Sequence, residues 1–227
     1  MPSNRYSNCP TTPGGPAADI TAGERSIFDQ YLDAIRAARR SIYIENQAFE
    51  LLEVAKELQQ ALDRGVRVAI LLPSEPALQA RSARAQPSMS SFTEHMRLFA
   101  GCDDFTLFAI SGRSPGGLRS DVYVHSKLMV VDDRWATVGS CNLHRASVAG
   151  NLELNVSVWD PHVARSLRCE LMAEHLGHSV NDLDDRAALS RLRDLAHRNR
   201  RRRDEGDSAW EGLVLALDPA SYCLQAT

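Results

Sequence analysis

Residues 122–142 read VYVHSKLMVVDDRWATVGSCN, and within this apolar frame the polar side chains fall at fixed intervals: His125, Lys127, Asp132, then Gly139, Ser140 and Asn142. At average residue usage, such a set arises by accident in a chain of this length on the order of a few times in a million, so composition does not explain it. An imidazole, an ammonium, a hydroxyl and a carboxamide brought to one point suit a phosphate ester. Lysine supplies a fixed positive charge, serine and asparagine supply neutral donors, and histidine attacks or shuttles a proton.

Two strands and a turn have to make that gathering. Val122, Val124, Leu128, Val130 and Val131 predict a β-strand, whose period of two sets His125 and Lys127 on one face about 7 Å apart. Asp132, Asp133 and Arg134 signal a turn, and residues 135–138 a returning strand, which carries Gly139, Ser140 and Asn142 back beside the pair. Asp132, at a strand end beside the turn, has two readings, one catalytic and one as a holder of nearby backbone groups. Cys141 reads as a small buried residue rather than a second nucleophile.

These residues resemble the histidine-lysine-aspartate signature of the phospholipase D superfamily, followed by that family's glycine-serine-x-asparagine element. Residues 41–47 (SIYIENQ) look like the strand that opens the second half of true phospholipases D, and residues 170–177 (ELMAEHLG) look like the helix that closes it. The resemblance spans residues 24–178 and departs from the family in one respect: there is one signature, where the lipases carry two in tandem. It implies a metal-free, cofactor-free, two-step phosphodiester exchange in which one His attacks phosphorus and a second His protonates the departing alcohol. By this resemblance Lys127, Ser140 and Asn142 face the charged oxygens. Glu153 takes the place of the acid that the family hydrogen-bonds to its catalytic imidazole, although a glutamate on the polar face of a strand also simply meets water. The catalytic set is therefore His125, Lys127, Asp132 and Glu153. Gln47, at a strand end beside the site, either contacts substrate or makes a strand-end hydrogen bond.

One signature supplies half of this chemistry, so a homodimer or a separate first-half partner is expected to complete the site. The substrate expected is a phospholipid headgroup. The alternatives are a metal-independent endonuclease of the same superfamily and a non-catalytic half.

The rest of the chain bounds these expectations. It has 227 residues, enough for one domain with a real core, and a net charge of −3 that gives no global pull toward nucleic acid. The five cysteines are odd in number and form no CxxC pair, which argues against a zinc site and a disulfide framework. With no secretion signal and no long apolar run, a cytoplasmic protein is expected, at most peripheral to a membrane. Residues 1–20, rich in Pro and Gly, read as a flexible arm, residues 21–180 as the catalytic domain, and residues 181–227 as a basic helix and tail.

Within the domain, Ile27, Tyr31, Ile35 and Ala38 predict a helix, residues 42–44 a strand, Leu51 to Leu62 a second helix ended by Gly65, and residues 66–72 a strand, together a βαβ unit. A loop over 73–91, a helix over 92–99, a strand over 105–110 and a loop over 111–120 follow. Leu152, Leu154, Val156 and Val158 predict the filled face of a strand ending at Asp160-Pro161, with a helix after it on Val163, Leu167, Leu171 and His175. The sum is an α/β/α sandwich around a mixed sheet. His175 and His178 read as solvated or helix-capping, and His95 and His144 are unassigned. Residues 186–203 hold eight arginines against one acid, ending in Arg200, Arg201, Arg202 and Arg203. They read either as a solvated helix or as a docking patch for anionic lipid or nucleic-acid phosphates.

Overall fold

The computed structural model of the protein describes residues 25–75, 95–207 and 209–222. The expected N-terminal arm, most of the 73–91 loop and the start of the 92–99 helix lie outside the described residues. In chain order the elements are α1 (Ser26–Ala37), β1 (Ser41–Glu45), α2 (Leu52–Asp63), β2 (Arg67–Leu71), β3 (Phe105–Arg113), β4 (Arg119–Asp121), β5 (Leu128–Val131), β6 (Trp135–Gly139), α3 (Arg145–Ala149), β7 (Asn155–Trp159), α4 (Pro161–Leu176), α5 (Asp185–Asp204) and β8 (Val214–Ala216).

The strands form one mixed sheet in the order β4-β3-β2-β1-β5-β6-β7, with β8 added to β3. β1, β2 and β3 run parallel, and β5, β6 and β7 continue antiparallel from β1. Every residue of β1 is buried, as expected of a central strand covered on both faces. Phe28, Tyr31 and Ile35 of α1 and Val54, Ala55 and Leu58 of α2 pack with Ile42, Ile44, Met129 and Val131 on one face. Ala164, Cys169 and Met172 of α4 and Leu189, Leu192 and Leu195 of α5 pack with Tyr43, Leu128 and Val130 on the other. An α/β/α sandwich around a mixed sheet is what the sequence leads one to expect.

Four expectations need correction. The ladder of β5 starts only at Leu128, and residues 122–127 run outside any named strand. Residues 111–120 are not a plain loop, because β3 extends to Arg113 and turns into β4 as a hairpin. Leu152, Leu154 and Val156 do not fill a core face; they are 72%, 74% and 64% exposed, and Val138 beside them is 47% exposed. The reason is position: the strand begins only at Asn155, so Leu152 and Leu154 precede it, and β7 is an edge strand of the sheet.

The basic C-terminal helix is likewise no appendage: α5 covers the sheet and β8 joins it. Much of its charge is spent internally. Arg193 pairs with Asp103, Arg200 and Arg203 with Asp204, and Arg202 with Asp207. Of the two readings of this run, the docking patch loses most of its free charge: of Arg200, Arg201, Arg202 and Arg203, Arg201 is the one without a carboxylate partner among the described residues.

Among the described residues no helix is long and apolar enough to cross a membrane. Cys102, Cys141 and Cys169 are free thiols.

Candidate active site

The turn between β5 and β6 works as its residue types require. Asp132 and Asp133 both take left-handed φ values, 56° and 52°, which aspartate tolerates better than most residues. The Arg134 N–H donates to the Val131 carbonyl at 2.9 Å. Register follows, with Val131 opposite Trp135 and Leu128 opposite Val138. One step further along, the Gly139 N–H donates to the Lys127 carbonyl at 3.0 Å, so the end of β6 lies beside the His125/Lys127 segment.

Gly139 is required there by space. A Cβ would fall against Asn155 Oδ1 and the Leu154 carbonyl oxygen, well inside the 3.0 Å below which real Cβ atoms are essentially never found. This close approach lets the Ser140 N–H donate to the Leu154 carbonyl at 3.0 Å, while Ser140 Oγ accepts from the Leu154 N–H at 3.1 Å. Tyr31 on α1 supports the next residue, its hydroxyl donating to the Cys141 carbonyl at 3.2 Å and accepting from Asn155 Nδ2 at 2.9 Å.

Within this frame Lys127, Gln47 and Asn142 converge. Lys127 Nζ donates to Gln47 Oε1 at 3.1 Å and to the His125 carbonyl at 2.6 Å, and Asn142 Nδ2 approaches Gln47 Oε1 at 3.5 Å. Lys127 is only 5% exposed; burial lowers the pKa of its ammonium, and the nearby Glu153 carboxylate opposes that shift. Asn142 Oδ1 is buried without a hydrogen-bond partner among the described residues. His125 is exposed, and its ring lies 6.4 Å from that of Tyr123 at an interplanar angle of 26°, in a stacked arrangement. Gln47 Nε2 donates to the Tyr123 hydroxyl at 2.6 Å, so the same glutamine touches both the lysine and the aromatic platform of the histidine.

Two expected site residues stand elsewhere. Asp132 lies at the far end of β5, where its carboxylate accepts the backbone N–H groups of Arg39 and Arg40 at 2.8 Å and Ser41 at 2.9 Å. Of its two readings this is the backbone-holding one: it ties the α1–β1 connection to the β5–β6 turn. Glu153 precedes β7 rather than lying on it, and its carboxylate accepts from the Ser140 hydroxyl. It therefore reaches the site through Ser140, not through a bond to His125.

Cys141 is held protonated, its pKa pushed up to about 12 by burial and by Glu153, in keeping with its reading as a small buried residue. His144 caps α3, its Nδ1 accepting from the Ser147 N–H at 3.1 Å. Among the described residues no group of three or more His, Cys, Asp or Glu side chains could hold a metal ion.

Tyr123 and Glu45 carry no role in the sequence reading, and His175 is read there as solvated or helix-capping. Glu45 and His175 meet in the core, with Glu45 Oε1 3.0 Å from His175 Nε2. His175 is thus neither solvated nor a cap. The available signal was that one of them lies in residues 41–47 and the other in 170–177, the two flanking stretches of the resemblance.

Residues 31–174 match the family model described as cardiolipin synthase, PLD-like domain. The chain is 30% identical over 223 residues to phospholipase D zeta 2 of Arabidopsis thaliana, an alignment covering 74% of this chain and 21% of that protein. It is 30% identical over 146 residues to cardiolipin synthase B of Escherichia coli K12, covering 62% of this chain and 30% of that one. The chain therefore spans less than a third of the length of either relative. Among solved structures, NucT from Helicobacter pylori superposes with a TM-score of 0.50 at 16% identity, over 63% of this chain and 84% of that one, a likeness of fold alone.

Proposed function

The chain belongs to the phospholipase D superfamily, and from its site we propose that it is a phosphodiesterase that hydrolyses or exchanges a phospholipid headgroup through a phosphohistidine. The observation that carries this reading is the convergence of Lys127, Gln47 and Asn142 beside an exposed His125. A buried ammonium with a neighbouring amide is a preorganised receptor for an anion, and it stabilises most where charge builds on the phosphoryl oxygens.

In the first step an imidazole nitrogen attacks phosphorus, the bond from phosphorus to the departing alcohol breaks, and that alcohol oxygen takes a proton from a second imidazole. In the second step that second imidazole removes a proton from water or another alcohol, whose oxygen attacks phosphorus and breaks the phosphorus–nitrogen bond. His125 takes one of these roles. The second imidazole, with its lysine, comes from a second copy of the chain across a two-fold axis. The exposed apolar edge of Leu152, Leu154, Val156 and Val138 supports this, because it adjoins Gly139 and Ser140 at the rim of the site and sets four large apolar side chains in solvent.

The test is turnover of phosphatidylcholine vesicles by the purified chain, with ethanol as competing acceptor, DNA as a parallel substrate and the mass in solution measured alongside. Phosphatidylethanol formed by a dimer, unaffected by EDTA and abolished in a folded His125→Ala variant, is the expected result. A well-folded chain that makes no lipid product overturns the phospholipid reading, and DNA cleavage by the same preparation moves the assignment to a nuclease. Turnover by a monomer refutes the second-copy element.

A further inference from the structure

A carboxylate buried under the sheet has one connection that leads out of the core. Glu45, at the end of β1, is 4% exposed, yet its two oxygens accept three hydrogen bonds: from the Tyr43 hydroxyl at 2.7 Å, from the Ser126 hydroxyl at 2.8 Å and from His175 Nε2 at 3.0 Å. Burial by itself would raise the pKa of this acid, but the bonds from His175, Tyr43 and Ser126 together hold it below the usual carboxylate range. Among the described residues His175 Nδ1 is buried without a partner, so the ring meets the carboxylate through Nε2. A carboxylate, a phenol and an imidazole among Phe108, Leu71 and Met172 are a costly filling for a core that apolar side chains would pack more cheaply. Two of the three donors belong to the scaffold. The third, Ser126, sits between His125 and Lys127.

We propose that Glu45 is a positioning residue for the His125/Lys127 pair, acting through the Ser126 hydroxyl, with Tyr43 and His175 holding its carboxylate in place; this rests on the phosphodiesterase reading of the site. The geometry supplies the reason. Residues 122–127 belong to no named strand, and their backbone is tied at the two ends, by the Val122 N–H to the Ile110 carbonyl and the Lys127 carbonyl to the Gly139 N–H. In an extended chain alternate side chains point to opposite sides. Val124 and Leu128 pack into the core beneath α4 and α5, the side on which Ser126 meets Glu45, while His125 is exposed and Lys127 reaches Gln47. Fixing the Ser126 hydroxyl fixes which way its two neighbours face.

The experiment uses the full chain with bis(4-nitrophenyl) phosphate as a plain phosphodiester and compares Ser126→Ala, Ser126→Thr, Glu45→Gln and the Ser126→Ala/Glu45→Gln pair. Ser126→Ala and Glu45→Gln are each expected to lower kcat by about 10- to 100-fold with KM changed less than about threefold, since a misplacement of about 1 Å costs that much. The double variant is expected to be no worse than the poorer single one, and Ser126→Thr, which keeps the hydroxyl, to recover most of the rate. A Ser126→Ala rate within about twofold of wild type, or single losses that multiply in the pair, overturns the proposal. Should Glu45→Gln fail to fold, the Ser126→Ala and Ser126→Thr variants decide alone. Should the wild-type chain hydrolyse no phosphodiester, the functional reading falls. Positioning is then read from the His125 ring signals by NMR, identified by their loss in His125→Ala: a shift or broadening in Ser126→Ala upholds it, and unchanged signals refute it.

Discussion

Replacing Gly139 by alanine tests the frame of the site with a single methyl group. That carbon would overlap two oxygens, of which Asn155 Oδ1 is on a side chain and can swing, while the Leu154 carbonyl belongs to the backbone and also accepts the Ser140 N–H. The ends of β6 and β7 must therefore part by about 1 Å, an overpacking cost of about 1–3 kcal/mol. Parting them strains the paired bonds between Ser140 and Leu154, at 3.0 and 3.1 Å, worth about 1 kcal/mol each. A total near 3 kcal/mol lowers the melting temperature of a chain of this size by about 6–12 °C. Because Ser140 and Asn142 follow directly, the same shift moves the amide away from Lys127, and kcat on a phosphodiester falls by about 100-fold at a temperature where the variant is still folded. Circular dichroism melts read the first effect and initial rates the second. A melt within about 2 °C of wild type would refute the steric argument, and a large stability loss with kcat unchanged would show that the loop does not position the substrate groups.

Asp132→Asn leaves one of three backbone donors facing an amide instead of an oxygen. It should destabilise the chain by about 2 kcal/mol in denaturant melts while kcat well below the melt stays within about threefold; a hundredfold loss of kcat at full stability would restore Asp132 to the chemistry. Arg168, 1% exposed, makes paired bonds to Asp133 at 2.6 and 2.7 Å, and Arg168→Ala should cost about 3 kcal/mol, read in the same way, by leaving that carboxylate only the longer contact to Arg165 at 3.6 Å. Asp185 should contribute to acid lability. Burial would raise its pKa, but the bonds from Arg40 and Ser41 hold it below the unfolded value of about 3.9. The folded chain thus binds fewer protons, so this stability is present above that pH and is lost as pH falls through the folded pKa. Asp185→Asn should melt lower than wild type at neutral pH and lose less on acidification, and equal losses in both proteins would exclude this residue as the cause.

The chemistry-bearing stretch and the elements around it were legible in the sequence because the information is local. Two adjacent aspartates mark the turn, and six residues between Asp132 and Gly139 bring the returning strand back beside His125 and Lys127. Periodicity says which residues share a face. It does not say what covers that face, and there the tertiary structure decided. Leu152, Leu154 and Val156 alternate as a core strand would, but β7 is the last strand of the sheet and its site-end half is left open. The arginine run near the C-terminus left a solvated helix and a docking patch both open; Asp204 pairs with Arg200 one helical turn away, but that Asp103 meets Arg193 is decided by the fold. Asp132 bonding residues 39–41, Glu153 bonding Ser140, and Glu45 meeting His175 are pairings between carboxylates and donors distant along the chain, and no spacing encodes them. Side-chain types and their intervals determined which chemistry the chain can offer, while packing determined which acid stands behind it, because a buried carboxylate takes its role from the donors that the fold brings within about 3 Å.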